Sequence, residues 1–171
     1  MTLPLELRVA TTESRPVLER LWQLYRHDLS ELRRTRLSAD GVFPTRRLDP
    51  FLADDTNRRA YLFFLDDSPV GLALVAGVVT EPRVLHEFFV VRAVRRHGVG
   101  GAAIRQLFAL HRGAWEIAFQ EANTTAARFW RSVAAAAAPD AWREERRPVR
   151  GKPQVPPDVW LLFETSVKEC P

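Results

Sequence analysis

Cysteine is nearly missing from this chain. The single thiol, Cys170, lies one residue from the end of the 171-residue sequence, which excludes an intrachain disulfide and argues against a nucleophilic cysteine set in a pocket. Lysine is almost as scarce, since the 25 basic residues are arginines apart from Lys152 and Lys168. No apolar run approaches the roughly 20 residues that span a bilayer. Met1 to Pro4 also lacks a charged stretch ahead of an apolar core, so a soluble, cytoplasmic protein with no membrane partner is expected. His27, His86, His97 and His111 show neither an i, i+4 pair nor cysteine company, and no metal site is expected.

What is abundant is arginine. Basic residues exceed the 21 acids to give a formal net charge of +4 and a pI near 10.0. The arginines come in scattered pairs (Arg33 and Arg34, Arg46 and Arg47, Arg58 and Arg59, Arg146 and Arg147) among acids. That pattern describes a solvated surface better than a nucleic-acid footprint. With 46% apolar residues, the length suits one domain over residues 1–171.

Leu5 to Ala10 alternates like a short strand, and Ser14 with Pro16 marks a helix start. Leu18, Leu21, Trp22, Tyr25, Leu29 and Leu32 recur at helical spacing, predicting an amphipathic helix over 15–34. Residues 35–57 are polar and broken by Gly41, Pro44 and Pro50, predicting a loop with one short helix and a candidate substrate cover. A hairpin of Tyr61–Leu65 and Val70–Val79 follows, then a third strand over Val84–Val91. Next come a helix ending at Gly113, a strand over Trp115–Phe119, a helix from Asn123 stopped by Pro139, and strands over Trp142–Val149 and Val159–Thr165. The helical connection into Trp115–Phe119 implies parallel pairing with the strand before it. The fold class is therefore α/β (α+β), a mixed, mostly antiparallel sheet of six to seven strands with helices on its faces.

One stretch points to a ligand. Arg95, Arg96, His97, Gly98, Val99, Gly100 and Gly101 follow the apolar run Phe88–Val91 and open a helix. A strand feeding a glycine turn and a helix start leaves main-chain N–H groups without partners at the positive end of a helix dipole, a cradle for a pyrophosphate. A phosphate loop of the NTPase type requires Lys and then Ser or Thr after its second glycine, and Gly101 and Ala102 stand there instead. A dinucleotide fingerprint fits Gly98, Gly100 and Ala103 with Glu116 or Glu121 downstream, but too little chain remains for the strand–helix units that fold requires.

Arg95-x-x-Gly98-x-Gly100 resembles the acetyl-CoA signature of the Gcn5-related N-acetyltransferase (GNAT) superfamily, and Glu87–Val91 is similar to its fourth strand. Asn123, Ala126, Phe129 and Trp130 resemble a second motif on the helix after its fifth strand. The resemblance spans residues 5–166 and implies a fourth and fifth strand that run parallel and then splay, with acetyl-CoA as co-substrate in the gap. It places main-chain contacts to pantetheine at Phe88, Phe89 and Val90 and the pyrophosphate on Arg95 to Gly101. Asn123 would bond near the pantetheine arm or cap its helix, with Phe129 and Trp130 alongside.

The implied reaction is transfer of an acetyl group to a primary amine of a small molecule or peptide by direct attack. Candidate proton acceptors are His86, expected to share a strand face with Phe88 and point toward the gap, Glu87 on the opposite face, and Glu116 on the neighbouring strand. A main-chain N–H near Phe89 or Val90 would meet the oxyanion. The chain departs from the family at Trp130, where many members place a tyrosine that protonates the thiolate; an indole N–H is no acid at useful pH. Tyr25 and Tyr61, the only tyrosines, match no family role. A CoA-binding module without transferase activity is the alternative, and an exposed edge at the last strands makes a homodimer an expectation.

Overall fold

Helix α1 (Arg15–Arg33) starts where Pro16 supplies a fixed φ in the first turn, and it buries Leu18, Leu21 and Trp22 along one stripe. Ser14 does not cap it; its hydroxyl closes a local loop by accepting from the Thr11 N–H and donating to the Thr11 carbonyl. The computed structural model describes residues 4–165, so the expectation for Cys170 falls outside the described residues.

Seven strands form one sheet in the order β1-β2-β3-β4-β5-β7-β6. They are β1 (Leu5–Val9), β2 (Arg58–Leu65), β3 (Ser68–Ala76), β4 (Arg83–Val90), β5 (Gly113–Phe119), β6 (Arg143–Arg147) and β7 (Asp158–Thr165). All neighbours are antiparallel except β4 and β5, which the crossover through α3 (Val99–Leu110) forces parallel. The remaining helices are the short α2 (Asp49–Leu52) and α4 (Thr124–Ala137). None of the described helices is long and apolar enough to cross a membrane.

The centre of β2 is apolar at every position because both of its faces are covered. Tyr61 and Phe63 enter a core with Ile104 and Leu107 of α3, Trp115 and Ile117 of β5 and Trp130 of α4. Leu62 and Phe64 enter a second core with Leu18 and Trp22 of α1 and Phe51 of α2. The 35–57 segment is pinned to α1: the Trp22 indole donates to the Pro44 carbonyl and Gln23 bridges both main-chain groups of Phe43.

Candidate active site

The parallel pair is short. Arg83 lies opposite Trp115, Val84 opposite Glu116 and Leu85 opposite Ile117, and there the pairing ends although both strands continue. The cause is visible in the β3–β4 register, where Leu74 faces Glu87 and Val75 faces Leu85, leaving His86 as an extra residue with no opposite number. A bulge bends its strand and raises the local twist. β5 is paired along its whole length with β7, without a bulge. The two strands therefore part after Leu85, opening the sheet.

Alternation decides which amides face the opening. Val91 donates to the Val70 carbonyl on β3, and the carbonyl of Phe89 points at Gly71 so closely that a Cβ there would lie 2.3 Å from it. With the antiparallel alternation this turns the main chain of Phe89 toward β3 and that of Phe88 and Val90 toward the opening. The Val90 carbonyl is already used, accepting from Arg95 Nε at 2.6 Å. Of the three residues expected to offer main-chain contacts, Phe88 and Val90 are placed to do so, while Phe89 is consumed by the ladder. Glycine is required at position 71 because only a residue without Cβ admits this close approach.

A cavity of about 110 Å³ occupies the opening. Its walls are His86, Glu87 and Phe88 of β4, Ala118 and Phe119 of β5, Tyr25, Leu29 and Arg33 of α1, and Asn123, Ala126 and Trp130 at α4. Asn123 caps α4 by accepting from the Ala126 N–H at 3.2 Å and lines the cavity as well. Phe129 stacks on Phe88 at 6.0 Å, and Trp130 meets the same ring edge-on at 5.2 Å.

The bulge also corrects the expected facing of His86. Phe88 packs with Phe63, Phe129 and Trp130 on the α3–α4 side, whereas the His86 ring meets Phe51 of α2 at 5.5 Å on the other side. The extra residue cancels the alternation that would have put positions 86 and 88 together. Packing of the ring lowers the His86 pKa through burial first and then through Arg47 and Arg58, with Glu87 working in the opposite direction.

Glu87 is 4% exposed, the one buried carboxylate among the described residues. One oxygen accepts from the Tyr25 hydroxyl and the other from Arg47 Nε at 2.5 Å. Tyr25 is set by Trp22 and Phe89, at ring separations of 5.5 and 5.7 Å. Burial, followed by the charge and hydrogen bond of Glu87, pushes its pKa well above the ordinary phenol value. The third carboxylate candidate is engaged elsewhere: both oxygens of Glu116 accept from Arg147, at 2.7 and 3.1 Å, in a pair across the far strands. Arg47 and Tyr25 are the site residues that sequence reasoning missed.

The turn after β4 forms the second half of the site. Gly98 takes φ +80° as N-cap of α3, with nothing within 4 Å of where a Cβ would stand. Arg96 also has positive φ, at 66°. The N–H groups of Val99, Gly100 and Gly101 have no hydrogen-bond partner among the described residues, so the start of α3 presents open donors at its positive end. A side chain at Gly100 would meet Phe129 at 3.4 Å. Arg95 does not reach into this cradle; it is held by Asp28 of α1 at 2.5 Å and by Val90. Arg96 and His97 remain exposed on the turn.

The comparisons with known proteins give the family and the fold. The family model described as acetyltransferase (GNAT) family matches residues 18–134, and the chain belongs to that family, whose common chemistry is acyl transfer. No curated protein matches the chain. Among solved structures, an acetyltransferase from Thermus thermophilus superposes with a TM-score of 0.68 at 21% identity, over 95% of this chain and 98% of that one. The ribosomal-protein-S18-alanine N-acetyltransferase of Escherichia coli gives 0.67 at 11% identity, over 98% and 99%. An IAA acetyltransferase from Bacillus cereus gives 0.61 at 10%, over 94% and 99%. At these identities the likeness is one of fold.

Proposed function

We propose that the protein transfers an acetyl group from acetyl-CoA to a primary amine of a small molecule or peptide by direct attack of the amine on the thioester. The observation that carries this reading is the opening between β4 and β5, with the main-chain groups of Phe88 and the N–H of Val90 free on one rim and the open N–H groups of α3 beyond it. Pantetheine carries two amides and would bond there as an added strand, leaving its pyrophosphate on Val99 to Gly101.

The acetyl end then lies in the cavity beside Glu87. The amine reaches it from the α1–α2 side, and Glu87 takes the proton the nitrogen loses on attack; an ionised carboxylate keeps lone pairs beyond the two bonds it accepts from Tyr25 and Arg47. The Phe88 N–H, the amide next to Glu87 that faces the opening, meets the developing oxyanion. His86, on the cavity wall, relays the proton through water.

Thiol release from acetyl-CoA across a panel of amines, with mass analysis of the product, tests this reading. Release that depends on an amine, and that falls in Glu87→Gln, is the expected result. Because hydroxide can take the attacking nitrogen's proton in place of the missing base, Glu87→Ala should lose less turnover above neutral pH than below it. CoA binding without release on any amine would favour the second reading, a CoA-binding module, which Trp130 in the place of a phenol supports.

A further inference from the structure

A thiolate leaving this cavity needs a proton, and Trp130 supplies none. We propose that Tyr25 of α1 is the proton donor to the departing sulfur, working as one acid–base pair with Glu87. The inference rests on the transferase reading and adds a residue to it.

Tyr25 carries the only hydroxyl among the side chains lining the cavity. Its oxygen is hydrogen-bonded to the buried carboxylate of Glu87. Tyr25 packs against the core on the α1 side of the sheet and Trp130 belongs to the core on the α3–α4 side, so the two line the cavity from opposite faces of the sheet. Trp22 and Phe89 hold the phenol ring from both sides, which places its oxygen beside Glu87, and once Glu87 has taken a proton the O–H is released to turn to the sulfur. The charged groups that face the pair are Arg26 and Arg33 from α1 and Arg47 from the 35–57 segment.

The proton count closes without an outside reagent. The amine nitrogen bonds to the acetyl carbon and its proton passes to Glu87. The C–S bond breaks, and Tyr25 gives its hydroxyl proton to the sulfur. Glu87, now protonated and already hydrogen-bonded to the phenolic oxygen, returns the proton to Tyr25. The amine's proton ends on CoA, and both residues are reset. One pair thus does the work of a separate base and acid, which suits a cavity this small.

The test compares wild type, Tyr25→Phe and a protein with a fluorinated, more acidic tyrosine at position 25. Each is assayed for thiol release with acetyl-CoA and the best amine of the panel, and calorimetry measures CoA affinity alongside. Tyr25→Phe should lower kcat by about 100-fold or more, the usual scale for a lost general acid. KM for acetyl-CoA and CoA affinity should stay within about threefold, a shift under 1 kcal/mol. The fluorinated protein should lose activity at a lower pH than wild type on the alkaline side, as its phenol ionises earlier. A structural role would not move that limb. A kcat for Tyr25→Phe within about twofold of wild type, or an unmoved limb in the fluorinated protein, overturns the role of Tyr25 alone. Wild type that releases no thiol on any amine overturns the transferase reading and this one together.

Discussion

Asp28 of α1 holds two arginines of the turn that follows β4, with Arg92 at 2.9 Å and Arg95 at 2.5 Å. Burial disfavours its charge, but the two guanidinium hydrogen bonds outweigh that and keep the carboxyl below its usual range. Arg95 in turn grips the Val90 carbonyl and lies over the Phe89 ring. The first helix thereby fixes the entry to the glycine turn, and the signature arginine works as a brace. Asp28→Ala should weaken CoA binding about tenfold, or ~1.4 kcal/mol, as should Arg95→Ala. The double variant should be no weaker than either single one, since both remove the same brace. Calorimetric titration of the three variants checks this; additive losses would mean that Arg95 touches the ligand independently.

Gly98 separates backbone strain from ligand exclusion. With φ at +80° and open space around a would-be Cβ, Gly98→Ala pays only for the left-handed backbone, about 1–2 kcal/mol of stability, and should bind CoA nearly as well as wild type. Gly98→Glu meets the same backbone cost and adds a carboxylate at the mouth of the anion cradle, so affinity should fall about 100-fold by charge repulsion. Thermal melts and titrations of both variants decide it.

The fold was legible because each element carries its own period and its own punctuation. Pro16 opens α1, Gly98 opens α3, Asn123 caps α4 and Pro139 follows its end. The glycine turn and the second motif on α4 were legible for the same reason, being local. The bulge was not, because the extra residue at His86 exists only against the Leu74–Val75 step of the neighbouring strand. The Tyr25–Glu87 and Arg47–Glu87 contacts join positions 62 and 40 residues apart, and no spacing in the chain announces them. Arg95 reads as a phosphate ligand from its motif, and only the packing of α1 reveals Asp28 as its partner.

Two histidines should set the acid limb of stability. Burial first, with Arg47 and Arg58 for His86 and Arg83 and Arg59 for His111, lowers both imidazole pKa values in the fold. His111 is also hydrogen-bonded to the hydroxyl of Tyr61, whose own pKa burial raises to about 12. Below about pH 6.5, the unperturbed value, the unfolded chain takes protons that the folded chain resists. Stability is therefore complete above that pH and declines as pH falls through it. Urea midpoints at about pH 7.5 and about pH 5.5, on either side of that value, should differ in wild type and differ less in the His86→Gln, His111→Gln double variant. An equal decline in both would remove the histidines as the cause.

Trp130→Tyr restores the phenol that many family members carry on this helix. Trp130 is 7% exposed against Phe88 and Phe129, so the smaller ring should cost roughly 1–3 kcal/mol of stability. If Tyr25 already serves the sulfur, kcat should not rise; the same change in a Tyr25→Phe background should recover part of the lost rate. Steady-state rates of the single and double variants test this directly.

Amide hydrogen exchange with and without CoA bears most directly on the opening between β4 and β5. Slower exchange on binding is predicted at Phe88, Val90 and Val99 to Gly101, with Phe89 unchanged because its amide is already paired with β3. CoA that binds by calorimetry yet leaves those amides exchanging as before would contradict the account.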